Sequence, residues 1–268
     1  MNLWLRITSG AVLLAVLFAA LWVGTPAAAA VVAIAAAVAL WEYRGLLGRI
    51  GQPPPGWLLY PLGLWLALRL IFPAAYQDVQ WPLIAAVSAG LIVAVTLRTG
   101  FVRWASALAG SLYIGLSLSF YLALFFWRPD DGNHFGLRLV VLVLAGVFAC
   151  DTAAYIAGSA IGRRRFFAAI SPRKTAEGAA AGAVAAILVG ALAGPPLVGI
   201  GASAGAGLGA LIAVAAQGGD LVESAIKRQA GVKESSGLIP GHGGLLDRLD
   251  SLLLVGPVVY CYLRLVAF

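Results

Sequence analysis

Long apolar runs dominate the chain, and the short stretches between them carry most of its charge. A helix needs about 20 apolar residues to cross a bilayer. Nine runs approach that length, at 5–24, 27–47, 57–73, 81–98, 104–127, 137–161, 177–194, 196–218 and 250–267. They predict an all-α polytopic membrane protein, a bundle of about nine transmembrane helices. The seventh and eighth runs are rich in Ala and Gly, residues that let helices pack closely, and Gly194-Pro195-Pro196 between them suits a tight turn. The first run resembles a signal peptide, with Arg6, an apolar stretch and then "TPAAAA". Its length and the second run close behind it favour an uncleaved first span. The pattern divides into N-terminal helices over 1–135, about five of them, and a C-terminal transmembrane region over 136–268 with polar loops at 162–176 and 219–249. There is no sequence repeat.

Composition agrees with this reading. Of 268 residues 62% are hydrophobic and 11% charged, and the mean hydropathy is +0.95. A soluble fold of this size could not cover its surface with so few charges. Cys150 and Cys261 both lie in apolar runs, so no disulfide framework is indicated. The net charge of +7 has no basic domain or tail behind it, which argues against a nucleic-acid partner. It reflects topology instead. With the N-terminus inside, the cytoplasmic segments hold fourteen of the eighteen basic residues: Arg6, Arg44, Arg49, Arg98, Arg103, Arg163, Arg164, Arg165, Arg173, Lys174, Lys227, Arg228, Lys233 and Arg248. Arg128 and Arg138 face outward, while Arg69 and Arg264 snorkel near outer span ends. The positive-inside rule then puts both long polar loops in the cytoplasm, and the expected location is a bacterial inner (plasma) membrane.

The acids follow the same division. Asp78, Asp130 and Asp131 face outward; Glu42, Asp151, Glu177, Asp220, Glu223, Glu234, Asp247 and Asp250 lie in the inner loops or at inner span ends. A carboxylate at a helix centre costs about 3 kcal/mol to insert, so such a group needs cations, water or one another. Asp151 follows the uncharged run 139–150 and sits roughly 15 Å from the cytoplasmic helix end. It shares a helical face with Tyr155 and Gly158. It reads either as a structural acid bonded to a neighbouring helix or as a functional site. If the eighth helix continues past the membrane, Asp220, Glu223, Ser224, Lys227 and Arg228 share a face, which is either a salt-bridged helix end or part of a site.

"IPGHGGLLDRLDS" supplies a Gly-rich loop followed by a helix start. Such a loop lets backbone N–H groups approach an anion, and the helix adds its positive dipole end. Asp247 and Asp250 beside basic residues suit Mg²⁺ with phosphates. His242 either contacts phosphate, moves a proton or braces the loop. The loop "GRRRFFAAISPRKTAEG" holds five basic residues within twelve positions. The three arginines read equally as an anionic-lipid contact or topology signal, whereas "SPRKT" combines hydroxyls and cations as a phosphate grip. The charge pattern thus describes a cytoplasm-facing site for joining a water-soluble phosphate compound to a lipid.

At these residues the chain closely resembles the phosphatidate cytidylyltransferases (CDP-diacylglycerol synthases). Their C-terminal signature stands here as Ser224, Lys227-Arg228, Lys233-Glu234, Pro240, His242-Gly243-Gly244, Asp247-Arg248 and Asp250, with Glu234 where the family usually has Asp. "DTAAYIAG" and "SPRKTAEG" are similar to two upstream family segments, with Ala176 replacing a usually bulkier residue, and "WEYRGLL" at Trp41 fits a less specific early one. The firm resemblance covers about residues 151–251. It implies transfer of CMP from CTP to phosphatidate, giving CDP-diacylglycerol and pyrophosphate in phospholipid biosynthesis, with Mg²⁺ and a second cation such as K⁺. It also implies a homodimer in the lipid bilayer.

On this basis Asp220 and Asp247 are the expected metal ligands. Asp151, Glu223, Asp250 and His242 are expected as catalytic or proton-network members. Ser171, Arg173, Lys174, Thr175, Lys227, Arg228, Gly243, Gly244 and Arg248 are expected to bind CTP or lipid phosphate. One rival is a CTP-dependent polyprenol kinase, which would release CDP and lipid phosphate. Another is an ion-coupled transporter built around Asp151, against which stand the missing repeat and the clustering of acids on one side. The acid pattern of CDP-alcohol phosphotransferases is not present.

Overall fold

The computed structural model describes residues 3–72, 80–96, 100–127 and 134–267. Asp78, Arg98, Arg128, Asp130 and Asp131, which the charge reading used, lie outside the described residues. The described chain is helical, with two isolated β-bridges but no extended sheet among its elements. In order the helices are α1 (Leu3–Val23), α2 (Thr25–Arg49), α3 (Gly56–Leu68), α4 (Gln80–Thr96), α5 (Phe101–Gly110), α6 (Ser117–Phe125), α7 (Phe135–Ile161), α8 (Ala176–Val198), α9 (Ala202–Gln229) and α10 (Leu246–Tyr262). A π-helical stretch, Ser111–Leu116, joins α5 to α6.

The expectation of about nine spans is corrected. Among the described residues six helices are long and apolar enough to cross a membrane: Thr25–Arg49, Phe101–Phe125, Phe135–Ile161, Ala176–Val198, Ala202–Gln229 and Leu246–Val266. The runs at 5–24, 57–73 and 81–98 instead supply shorter apolar stretches, Thr8–Val23 within α1, Gly56–Ile71 over α3 and its 3-10 turn, and Leu83–Thr96 within α4. At 57–73 the reason is that an apolar run need not be α-helical throughout. Pro53, Pro54 and Pro55 delay the start of α3, and the 3-10 turn Arg69–Ile71 ends it. At 1.5 Å per residue, Gly56–Ile71 is about 24 Å long and α4, Gln80–Thr96, about 26 Å, against a hydrocarbon core of about 30 Å.

The turn between the seventh and eighth runs also falls elsewhere. Pro195 and Pro196 sit inside the last turn of α8. The helix ends at Gly199, which takes the left-handed conformation (φ +71°) and donates its N–H to Pro195 O at 3.1 Å. Glycine adopts that cap without steric penalty, so the chain reverses after the proline pair rather than at it.

The chain forms two compact units. One comprises Met1–Leu122 and Gln229–Arg248, the other Ala123–Arg228 and Leu249–Phe268. In the first, α2, α3 and the π-helical stretch bury Leu40, Leu46, Leu59, Leu66 and Ile114. Ser111 Oγ donates to Leu59 O at 3.1 Å, and Tyr43 Oη to Ser106 O at 3.1 Å. A Cβ on Gly115 would collide with the Gly63 carbonyl, so these segments meet backbone to backbone.

The second unit uses the small residues of α7, α8 and α9 in the same way. Cβ atoms on Gly190 and Gly205 would each strike the other's carbonyl, and one on Gly182 would come within 2.7 Å of Cys150 O. Cys150, Ala186 and Ala213, one from each helix, form a buried cluster. The Ala/Gly richness of these runs is therefore a packing code that allows close approach of backbones. At the far end of α10, Arg264 lies 5.0 Å from the Trp127 ring and 5.5 Å from the Tyr260 ring, an aromatic seat for a cation at a helix end.

Candidate active site

In the second unit, α7, the loop before α8 and the last turns of α9 enclose a cavity of about 500 Å³. Asp151, Tyr155 and Gly158 all line it, so the helical face expected from their spacing is the cavity wall. Asp151 and Tyr155 are exposed. From the loop come Ser171, Arg173, Lys174 and Thr175, and from α9 comes Asp220. Six of the sequence-predicted residues are thus brought together.

The loop is held by its own backbone. Phe166 N donates to Lys174 O at 3.0 Å, and Ala176 N to Arg164 O at 2.8 Å. Arg165 Nη1 donates to Pro172 O at 2.9 Å. Glu177, in the first turn of α8, accepts the N–H groups of Arg163 and Arg164 at 3.1 and 3.2 Å. Thr175 is buried and caps α8, its Oγ1 accepting from Gly178 N at 3.1 Å. A hydroxyl at this position satisfies one of the orphan N–H groups of a helix start.

Across the cavity Lys174 Nζ pairs with Asp220 Oδ2 at 2.9 Å, and both side chains are partly exposed. The other carboxylate oxygen of Asp220 accepts from Ser224 Oγ at 3.1 Å. One turn on, Glu223 and Lys227 form a buried ion pair on α9 rather than lining the cavity. Arg228 is exposed and donates from Nε to Ile170 O at 3.3 Å, tying α9 to the loop. Asp250 lies within the electrostatic reach of Asp220, Lys227 and Asp151. Asp151, Asp220 and Asp250 therefore come from three different helices. No set of three or more His, Cys, Asp or Glu side chains among the described residues forms a closed metal cage. Two carboxylates on a cavity wall that no Cys or His lines among the described residues fit a hard cation that takes its remaining ligands from water and substrate.

His242, Gly243, Gly244, Asp247 and Arg248 lie in the first unit. Asp247 is buried, and its Oδ2 accepts three hydrogen bonds, from Ser235 N (2.9 Å), Ser235 Oγ (2.9 Å) and Gly244 N (2.8 Å). Gly243 has φ +80° and its carbonyl accepts Ile239 N at 2.8 Å. His242 shares a 2.7 Å hydrogen bond between Nδ1 and Ser9 Oγ of α1. Arg248 is exposed.

Sequence reasoning missed three contributors. Gln217 lines the cavity, accepts Lys174 Nζ on its carbonyl at 3.5 Å and donates Nε2 to Ala179 O at 3.1 Å. Its signal was a single amide in the apolar run "AVAAQGGD". Glu42 is 2% exposed and accepts from Ser235, Ser236, Leu245 and Leu246; "WEYRGLL" marked it without assigning it a partner. Ser9 carried no signal.

Comparison with known proteins bears on what this arrangement does. The model described as "Cytidylyltransferase family" matches residues 4–266. A phosphatidate cytidylyltransferase of Synechocystis sp. is 32% identical over 286 aligned residues, covering 97% of this chain and 96% of that protein. The chloroplastic phosphatidate cytidylyltransferase 5 of Arabidopsis thaliana is 33% identical over 273 residues, 91% of this chain and 66% of that protein. A phosphatidate cytidylyltransferase of Brucella suis is 39% identical over 154 residues, 58% of this chain and 55% of that protein.

Proposed function

The chain belongs to the cytidylyltransferase family, and from that premise we infer that it makes CDP-diacylglycerol for phospholipid biosynthesis. It is a membrane nucleotidyltransferase that moves CMP from CTP to phosphatidate and releases pyrophosphate. A phosphate oxygen of phosphatidate attacks the α-phosphorus of CTP. The bond from that phosphorus to the bridging oxygen of the β-phosphate breaks, and pyrophosphate leaves. Both reactants are anions, so the barrier is largely one of charge repulsion and alignment.

The observation that carries the residue assignment is the cavity where Lys174 and Arg173 meet Asp220 and Asp151. We assign Lys174, Arg173 and Ser171 to the phosphates. The ion pair with Asp220 fixes the Lys174 ammonium on the cavity wall before substrate arrives. Arg228 adds positive charge from α9, and Lys227, paired with Glu223, enters the assignment on its motif alone. Asp220 is assigned to hold Mg²⁺, with Asp151, Glu223 and Asp250 as further ligands or members of a proton network. Bound there, the metal supplies Lewis-acid stabilisation of charge on phosphate oxygens. Asp247, His242, Gly243, Gly244 and Arg248 enter the assignment on their motif alone, as does a second cation such as K⁺.

The charge asymmetry supports an N-terminus and site in the cytoplasm, where CTP is available, and the resemblance to bacterial relatives supports a bacterial inner membrane. The family resemblance supports a homodimer. The test is to incubate purified protein with labelled CTP, phosphatidate and Mg²⁺. CDP-lipid and pyrophosphate are expected; CDP and a phosphorylated lipid would overturn the assignment in favour of a kinase.

A further inference from the structure

We propose that Glu42 is a positioning residue for the transfer reaction, clamping segment 235–246 and so setting the motif residues His242 to Arg248. The proposal rests on the function assigned above, which gives those motif residues to the substrates. Glu42 lies in α2, some two hundred residues from the segment that it holds. Its carboxylate is buried and accepts four hydrogen bonds. Oε1 takes Ser236 Oγ at 2.5 Å and Leu245 N at 3.0 Å; Oε2 takes Ser235 Oγ at 3.2 Å and Leu246 N at 2.6 Å.

Two of those donors are backbone N–H groups at the start of α10, where a helix leaves its first amides unsatisfied and carries its positive dipole end. A buried carboxylate is tolerated only when donors of this kind surround it. Ser235 joins the clamp to Asp247. Its single hydroxyl proton lies between two acids, 3.2 Å from Glu42 and 2.9 Å from Asp247. The two carboxylates can approach one hydroxyl because each is also bound by backbone amides, Leu245 and Leu246 for Glu42, Ser235 and Gly244 for Asp247.

The clamp also explains the second glycine of the motif. A Cβ on Gly244 would collide with Ser235 Oγ and come within 2.5 Å of Glu42 Oε1. Glycine is thus required there by the approach of Glu42 and Ser235, independently of any bound phosphate.

The experiment compares wild type, Glu42→Gln, Ser235→Ala and the double variant. Glutamine keeps the size but turns one acceptor oxygen into a donor facing the α10 amides. Turnover of CTP and phosphatidate is measured alongside the rate of tryptic cleavage after the exposed Lys233, a readout that needs no activity. Expected for Glu42→Gln are a tenfold or greater fall in kcat, faster cleavage after Lys233, and a double variant no worse than Glu42→Gln alone.

Unchanged cleavage overturns the clamp. Faster cleavage with unchanged kcat overturns the positioning role, and so does strict multiplication of the two single-variant losses in the double variant. If Glu42→Gln does not fold, Ser235→Ala and Ser236→Ala carry the same comparison in milder form, and normal cleavage and kcat in both overturn the proposal. A wild-type protein without CDP-lipid synthesis would sink the assigned function, while the cleavage rates would still decide the clamp.

Discussion

The two units both gather carboxylates, and they treat them in opposite ways. Around the cavity of the second unit, Asp151 is exposed and Asp220 is partly exposed, opposite a lysine. In the first unit Glu42 and Asp247 are buried and surrounded by N–H and O–H donors of their own chain. An acid whose neighbours are cations and open space is placed to meet a ligand. Glu42, whose two oxygens are both bound by donors of its own chain, organises that chain, and Asp247 shares this arrangement through Oδ2. The residue type says "acid" in both places; the donors around it separate binding from bracing.

That contrast can be broken at several points. The largest expected effect is at the buried pair on α9. Lys227→Met leaves the Glu223 carboxylate buried beside an apolar chain, a change that costs about 3–5 kcal/mol. Thermal unfolding in detergent should show a marked fall in Tm, and Glu223→Gln combined with Lys227→Met should recover part of it. Asp220→Ala acts on the open side of the comparison. It should lower cytidylyl transfer by roughly a hundred- to a thousandfold while Tm changes little, because its side chain is partly exposed; retained transfer at ordinary Mg²⁺ would remove Asp220 from the metal site.

Gly244→Ala attacks the closed side. The added methyl must push Ser235 and Glu42 apart, at a cost of about 1–3 kcal/mol, with faster tryptic cleavage after Lys233 as the check. The smallest effect is expected at Thr175→Ala, where a lost helix cap costs about 1 kcal/mol. Thr175→Ser should restore most of the Tm, since it keeps the capping oxygen.

Much of the site was legible because its residues are local in sequence. Asp151, Tyr155 and Gly158 follow from helical spacing alone, and Ser171 to Thr175 are consecutive. The extension of α9 through Lys227 and Arg228 likewise follows from its pattern of acids and bases. Glu42 was hidden for the opposite reason. Its partners are about two hundred positions away, and nothing in "WEYRGLL" states which amides it will meet. The span count was too high, most plainly at α3, because apolar composition reports what a segment can lie against but not where its helix starts and stops. At α3 the prolines and a 3-10 turn set those limits.

The amino-acid sequence by itself determined that this is a helical membrane protein, that its charges gather in two polar loops, and that acids, cations and glycines recur in a cytidylyltransferase pattern. These are properties of composition and short-range periodicity, which act within a few residues. Only the tertiary structure decided that six helices reach spanning length among the described residues, that Lys174 meets Asp220, and that Glu42 closes on the start of α10. Those outcomes depend on which buried polar groups find partners when distant segments pack, and the need to satisfy every such group is settled only in the folded chain.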